Sequence, residues 1–364
     1  MSMRCPRCGA TFGDDVRYCA NDGDRLVAAV VPAPAPTPRA RPATPRDAAI
    51  AAMTGQILAG RYRVERKVGE GGMSFVYLAV DTTDGSHVAV KALSPALSAD
   101  AKAMARLRRE ATLGKGLKHP NVCHILEFGE TPQGFVYLVM PFLEGTLLSE
   151  RRATLGTLPL PRTVTIVREI AAGLQVAHAL GIIHRDLKPE NVMMTAGPDG
   201  AERAVVMDFG LAKQHQAGSE LEKLTATGIV LGTPEFMSPE QLRGKPLDAR
   251  TDIYSLALMA VEMLTGFLPF TGRTKQDMMI ARLKSEPTPL TQMRPELHFP
   301  LGVERALNKG MARDRADRYR TAPEFAAALS EGATGDAAAD EPARGPGSAS
   351  EKPAGSWLDR LLGR

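Results

Sequence analysis

The sequence predicts an α+β fold of two lobes, the first rich in β-strands and the second mainly helical. Apolar and polar residues alternate over 62–77 around a glycine cluster, and short apolar runs follow at 88–92 and 136–140, as is typical of strands. One helix is predicted over 101–113. Later apolar residues recur mostly at helical spacing, notably over 163–180 (ending at Gly181) and 251–265. Hydrophobic residues make up 44% of the 364, enough for a sizeable core.

Composition divides the chain into four segments. Residues 1–26 are dense in Cys, Gly and Asp, and 27–56 are dominated by Ala and Pro, which favours an extended spacer. Residues 57–330 have a globular composition. Residues 331–364 return to Gly, Ala, Pro, Ser and Glu, which predicts a disordered tail with a short amphipathic end. We therefore expect a small first domain, a linker, one large domain and a tail.

Charge and hydropathy restrict the partners. Lys plus Arg number 45 and Asp plus Glu 41, a net +4 with no long basic block, so nucleic acid is not an expected partner. No segment reaches the roughly 18 apolar residues of a membrane span, and no signal peptide is evident. A cytoplasmic location is the expectation.

Two features of the first lobe suit phosphate binding. Gly69, Gly71 and Gly72 cluster at a predicted strand turn, where glycine lets backbone N–H groups approach a phosphate closely. Lys91 then ends the apolar run Val-Ala-Val-Lys, and an ammonium group in such a strand needs a counter-charge. The alternative for Lys91 is a surface position on an edge strand.

The second lobe carries the most specific motif, His-Arg-Asp-Leu-Lys-Pro-Glu-Asn at 184–191. Asp-Phe-Gly at 208–210 follows a predicted short hairpin, and Gly-Thr-Pro-Glu-Phe-Met-Ser-Pro-Glu lies at 232–240. In order and spacing, these motifs and the glycine and lysine motifs resemble those of the bacterial (Hanks-type) Ser/Thr protein kinases. The resemblance covers roughly three quarters of the chain.

This resemblance implies the two-lobed kinase fold and transfer of the ATP γ-phosphoryl group to protein Ser and Thr hydroxyls. Asp186 would orient the substrate hydroxyl and accept its proton, and Lys188 would neutralise the transferring group. Lys91 would hold the α/β-phosphates and pair with Glu110 of the predicted helix. Thr233 would contact Asp186 and Lys188.

The resemblance also implies a nucleotide and metal site that binds ATP with Mg²⁺ or Mn²⁺. Asn191 and Asp208 would be the metal ligands. The residues expected around ATP are Val68, Gly69, Gly71, Gly72, Val76, Ala89, Lys91, Met140, Phe142 and Met193. Packing alone is the alternative role for Val76, Ala89 and Met193. Three further residues are expected to be structural: Glu240 paired with Arg318, and Asp252 bonded to the catalytic-loop backbone.

Two positions depart from the family pattern. Ser74 replaces the third glycine of the loop, and Gly114 stands where the family has a bulky apolar residue, a space that Leu113 or Leu117 would fill. These departures favour a rival hypothesis, a pseudokinase scaffold, whereas the retained catalytic set argues against it. A small-molecule phosphotransferase of related fold is a second rival, against which the complete 232–240 motif argues.

An activation mechanism is implied by Arg185, which precedes Asp186. Related kinases with this arginine depend on a phosphorylated activation loop, and Thr225 and Thr227 lie where the family carries its phosphosites. We therefore expect autophosphorylation there, through a transient dimer, in a signalling kinase. Two threonines in a polar loop are the alternative.

The N-terminal segment resembles a zinc ribbon. Cys5 and Cys8 form one Cys-x-x-Cys knuckle, and Cys19 and Asp22 form a second with Asp in place of the usual fourth cysteine. A structural Zn²⁺ held by these four side chains is expected, since about 25 residues scarcely fold without such a link. The alternative is a degenerate knuckle with weak or no metal. A nucleic-acid-binding ribbon is a further rival, disfavoured by the four aspartates beside its few arginines.

Overall fold

The computed structural model describes residues 53–71, 74–93, 101–131, 136–197, 200–209 and 234–335, and the short pieces 3–4, 11–12, 17–18 and 27–28. The chain divides into two units, residues 1–48 and 49–364. In the first unit, the strands β1 (Met3–Arg4), β2 (Thr11–Phe12) and β3 (Val27–Ala28) pair antiparallel in the order β2-β1-β3.

The first lobe of the second unit is built on an antiparallel six-stranded sheet of order β4-β5-β6-β7-β9-β8. Its strands are β4 (Ile57–Leu58), β5 (Tyr62–Gly71), β6 (Ser74–Asp81), β7 (His87–Leu93), β8 (Glu127–Glu130) and β9 (Val136–Pro141). Alternation buries one set of side chains, so that Tyr62, Val64, Tyr77 and Ala79 form a core. The predicted glycine hairpin and the strands near 88–92 and 136–140 are confirmed.

The helix predicted over 101–113 is present as α1 (Ala101–Gly114). Its Ala111 packs with Leu138 of β9 and with Ile125, which precedes β8. A Cβ atom placed on Gly114 would lie 2.8 Å from Ile125 Cδ1, so Ile125 occupies the space that a bulky residue at 114 would need. Leu113 and Leu117 instead pack with the core of the second lobe.

The second lobe surrounds one helix that is buried from Thr251 to Thr265. Its strands β10 (Gly145–Leu147), β11 (Val192–Ala196) and β12 (Glu202–Val206) form a small antiparallel sheet. Its helices are α2 (Leu148–Leu155), α3 (Leu160–Ala179), α4 (Pro239–Leu242), α5 (Arg250–Thr265), α6 (Lys275–Lys284), α7 (Leu290–Met293), α8 (Leu301–Gly310) and α9 (Ala322–Thr334). The predicted stop after α3 is seen at Gly181, whose φ of 73° favours glycine.

Described residues on either side of the predicted 57–330 domain also belong to this unit. Met53, placed in the predicted spacer, is 1% exposed and belongs to the same core as Leu58 and Tyr62. At the other end α9 continues to Thr334. Composition marks such limits poorly, because one buried side chain beside an Ala/Pro-rich tract changes little in the average. Within the described residues, no helix combines the length and apolarity needed to cross a bilayer.

Candidate active site

The loop that carries the 184–191 motif, called the catalytic loop from here on, lies between α3 and β11 and ends in a 3₁₀ turn, Pro189–Asn191. Asn191 Nδ2 donates to the Asp186 carbonyl at 2.7 Å and lies 3.4 Å from its Oδ2. Lys188 Nζ lies 3.5 Å from the same carboxylate oxygen. The structure thus brings together the three loop residues singled out in the sequence.

A second charged pair joins the two lobes. Lys91, on β7, places its Nζ 2.7 Å from Oδ1 of Asp208, which follows β12. Burial opposes ionisation of Asp208, but the Lys91 ammonium outweighs it and the pKa of this carboxyl is lowered. The counter-charge found for Lys91 is therefore Asp208. Glu110, the expected partner, lies in α1, but its side chain is outside what the structure describes.

Two residues of this centre have left-handed backbone conformations, Arg185 with φ 65° and Asp208 with φ 55°. Such a conformation costs a non-glycine residue roughly 1–3 kcal/mol and persists only where neighbours enforce it. Asp252 accepts the N–H groups of His184 and Arg185 at 2.8 and 2.9 Å. His184 Nε2 in turn donates to the Met207 carbonyl at 2.8 Å, just before Asp208. One connected set of hydrogen bonds thus runs between both strained positions.

Asp252 lies on α5 with no exposed surface, as a scaffold residue should. Its Oδ2 is also 2.7 Å from Nε2 of His178, at the end of α3. Burial acts to raise the pKa of Asp252, but the bonds from His178 and His184 outweigh it and the pKa is lowered. Sequence reasoning identified Asp252 but missed His178, because nothing local marks a contact across 74 positions.

Two of the residues expected around ATP, Ala89 and Met140, lie on the neighbouring strands β7 and β9. Ala89 pairs with Met140 in the sheet, and both join an apolar cluster that contains Cys123. The other members of that cluster are Val205, Leu143 and Met207. Cys123 is buried in this cluster with Met140, and burial raises the pKa of its thiol to about 12, as is typical of an unreactive packing group. Sequence reasoning missed Val205 and Met207, which extend the apolar surface next to Asp208.

The other residues expected around ATP that the structure describes lie on strands of the two sheets or directly after one. Val76 pairs with Lys91 across β6 and β7, and Met193 pairs with Val205 across β11 and β12. The Phe142 N–H donates to the His87 carbonyl at 3.3 Å. Three other predicted contacts belong to β5: Val68, Gly69 and Gly71, of which Val68 is 39% exposed.

The pair expected to be structural is buried. Arg318 Nη1 and Nη2 donate to Glu240 Oε1 and Oε2 at 2.7 and 2.8 Å, and Thr251 donates to the same carboxylate at 2.8 Å. Burial acts to raise the pKa of Glu240, but Arg318 outweighs it and the pKa is lowered. Next to it, Gln241 Nε2 donates to the Arg185 carbonyl at 2.7 Å. This hydrogen bond links the segment 234–241 to the catalytic loop.

Several predicted residues lie outside the described residues: Cys5, Cys8, Cys19, Asp22, Gly72, Thr225, Thr227 and Thr233. Among the residues that the structure does describe, no group of three or more His, Cys, Asp or Glu side chains is arranged to hold a metal ion. The four expected zinc ligands lie outside that search, so zinc binding stays a prediction.

Several known proteins are similar to this chain. The family model for the protein kinase domain matches residues 62–317. The chain belongs to the protein kinase family. This kinase is 36% identical over 275 residues to serine/threonine-protein kinase pkn3 of Myxococcus xanthus, covering 76% of this chain and 50% of that protein. It is 37% identical to serine/threonine-protein kinase PknD of Mycobacterium tuberculosis, covering 76% of this chain and 40% of that one.

A solved structure shows the same fold. The crystal structure of the Mycobacterium tuberculosis PknI kinase domain matches with a TM-score of 0.61 and 29% identity, covering 77% of this chain and 99% of that one. The predicted two-lobed kinase fold and the similarity to bacterial Ser/Thr kinases are confirmed. This kinase spans half or less of the length of these curated relatives.

Proposed function

We propose that this chain is an ATP- and Mg²⁺-dependent Ser/Thr protein kinase acting in bacterial signalling. The proposal rests on two charged groups described above, one within the catalytic loop and one that joins the two lobes. Asp186, Lys188 and Asn191 lie within hydrogen-bond or ion-pair reach on one side, and Lys91 meets Asp208 on the other. A scaffold without catalysis does not require this arrangement of charged groups. The relatives named above are serine/threonine-protein kinases, which also supports the proposal.

Each residue has a distinct role in this proposal. Asp186 accepts the proton of the substrate hydroxyl, and Lys188 balances negative charge beside it. Asn191 turns its amide nitrogen toward Asp186, which leaves its oxygen for a cation, and Asp208 supplies a carboxylate of lowered pKa. One carboxylate and one amide oxygen fit Mg²⁺, which takes its remaining ligands from phosphates and water. Bound Mg²⁺ supplies charge neutralisation at the phosphates.

Asp186→Asn tests this function, because asparagine keeps the shape but cannot accept the proton. Phosphoryl transfer to protein should fall about 100-fold or more, while ATP affinity stays within about twofold. The matched control is Asp84→Asn, a surface aspartate in the turn after β6, which should leave transfer unchanged. Radiolabel transfer and nucleotide titration measure both effects. Transfer by Asp186→Asn at the wild-type rate would exclude the role of Asp186.

Activation by autophosphorylation at Thr225 and Thr227 is the finer part of the proposal. Its support is the Arg185 side chain, whose Nε is buried and has no hydrogen-bond partner among the described residues. A phosphate carries about −1.5 to −2 charge and would supply that partner. Replacing both threonines by alanine should lower activity, and phosphosite mapping of the wild type should find both. Full activity with neither site phosphorylated would contradict the proposal.

A structural Zn²⁺ at Cys5, Cys8, Cys19 and Asp22 is the corresponding proposal for the N-terminal unit. Its support is the spacing of the ligands, together with the antiparallel pairing of β1 with β2, between which Cys5 and Cys8 lie in the sequence. Metal analysis of the full chain should find one zinc, lost in Cys8→Ser and weakened in Asp22→Ala. A chain without zinc, when purified without chelators, would favour the degenerate knuckle.

A further inference from the structure

Arg282, on α6, is one of the most deeply buried cations of the described residues. It is 1% exposed, and its guanidinium makes no ion pair with a carboxylate in the described part of the chain. Instead its two terminal nitrogens donate to the backbone carbonyls of Pro234 and Glu235, while its buried Nε has no partner there. Burying a charge so incompletely paired opposes folding, and burial lowers the pKa of this guanidinium. An apolar side chain would fill this part of the core without the cost of burying a charge. We therefore attribute the arginine at this position to its bonds with the two carbonyls.

Those carbonyls belong to the 3₁₀ turn Pro234–Phe236. The Met237 N–H donates to the Pro234 carbonyl at 3.2 Å, within the chain at the turn, whereas the Glu235 and Phe236 carbonyls accept from side chains of other elements. Arg282 serves the first two, and Ser255 Oγ donates to the third, on Phe236, at 2.8 Å. Three successive carbonyls are thus held by side chains of two different helices. The planar fork of a guanidinium holds two successive peptide groups through two nitrogens in a fixed geometry, which the single nitrogen of a lysine does not provide.

This turn forms one wall of a cavity of about 380 Å³ beside the catalytic loop. Glu235 and Phe236 of the turn and Pro189 and Glu190 of the catalytic loop are among the residues that line it. Pro189 comes only three residues after Asp186, so a protein chain that presents a hydroxyl to Asp186 would pass along this cavity. Arg282 does not line the cavity itself. Its influence on a bound protein acts through the position of the turn.

From this geometry we infer that Arg282 is a positioning residue for protein-substrate binding, which it achieves by holding the Pro234–Phe236 turn against α6. The inference rests on the proposed kinase activity. Because ATP contacts a different part of the structure, around Lys91 and Met140, loss of Arg282 affects the acceptor protein and leaves nucleotide binding unchanged.

The test compares Arg282→Met with Lys284→Met, an exposed cation on the same helix. The acceptor is whichever of casein, histone and an inactive Asp186→Asn copy of the full chain the wild type phosphorylates fastest. With two bonds from a charged donor lost, KM for the acceptor should rise about tenfold or more in Arg282→Met, while ATP affinity stays within about twofold. Lys284→Met should match the wild type in both.

Arg282→Lys provides a second variant where the methionine variant does not fold. One donor nitrogen remains in place of two, so the rise in acceptor KM should be smaller but present, again without a change in ATP affinity. An unchanged acceptor KM in a folded variant would overturn the inference, as would equal loss of ATP affinity and acceptor binding, which indicates general damage. Wild-type protein that phosphorylates none of the three acceptors would instead refute the kinase activity, and this inference with it.

Discussion

Replacing Glu240 by glutamine should strongly destabilise the kinase domain. The Arg318 side chain has no exposed surface and the Glu240 side chain is 7% exposed, so the change leaves a buried guanidinium without its counter-charge. Breaking one partner of a buried pair costs about 3–5 kcal/mol. The same figure follows from two hydrogen bonds of 2.7 and 2.8 Å, since each bond to a charged group contributes about 1.5–3 kcal/mol. Arg318 also donates to the carbonyls of Ala312 and Arg250, which keeps it from turning toward water.

Urea and thermal unfolding of the full chain at pH 7 measure this loss. A destabilisation of 3–5 kcal/mol should lower the melting temperature by roughly 5–9 °C for a domain of this size. The control is Glu286→Gln, which breaks an exposed ion pair to Arg313 and should cost less than about 1 kcal/mol. Adding Arg318→Met to Glu240→Gln should restore part of the loss, because the uncompensated charge is gone. Equal unfolding midpoints for Glu240→Gln and Glu286→Gln would refute the reasoning.

The pH dependence supplies an independent check. The folded-state pKa of Glu240 is lowered, so its contribution is present above the unfolded pKa, about 4.5. That contribution is lost as the pH falls through the lower folded value. The stability difference between wild type and Glu240→Gln should therefore be full at pH 7 and shrink in acid.

Three further predictions concern other parts of the molecule. Lys91→Met should reduce phosphoryl transfer at least about 100-fold, since the ammonium that balances phosphate charge is lost; retention of a tenth of the wild-type rate in a transfer assay would contradict this. Gly332→Ala should lower the free energy of unfolding by about 1–3 kcal/mol, because its Cβ would overlap the Gly302 carbonyl; Gly335→Ala, with nothing within 4 Å, should not. Glu262→Gln should stabilise the chain in urea above pH 7 by up to about 3 kcal/mol, because burial raises the pKa of this carboxyl to about 7 and its ionisation opposes folding; the gain should shrink toward pH 5.

Residues within contiguous motifs were predictable from the sequence, and so were the strands and helices with clear periodicity. Asp186 and Asn191 lie five positions apart in one motif, so their contact follows from the loop itself. Contacts between distant segments were not predictable in this way. Gln241 bonds the Arg185 carbonyl across 56 positions, and a lone glutamine gives no sign of such a partner. The space at Gly114 is filled by Ile125 for the same reason, since packing partners are selected by the folded geometry and not by periodicity.

Side chains at the start of α5 position the segments of the candidate active site. Thr251 Oγ1 donates to Glu240 at 2.8 Å, Asp252 accepts the two catalytic-loop N–H groups, and Ser255 Oγ donates to the Phe236 carbonyl at 2.8 Å. These three side chains lie within about one turn of a single helix. Because α5 is buried along nearly its whole length, it can shift only if the surrounding core shifts with it. The catalytic loop and the turn Pro234–Phe236 are therefore positioned by the same rigid element, so each is fixed relative to the other although Arg185 and Pro234 are 49 positions apart in the chain.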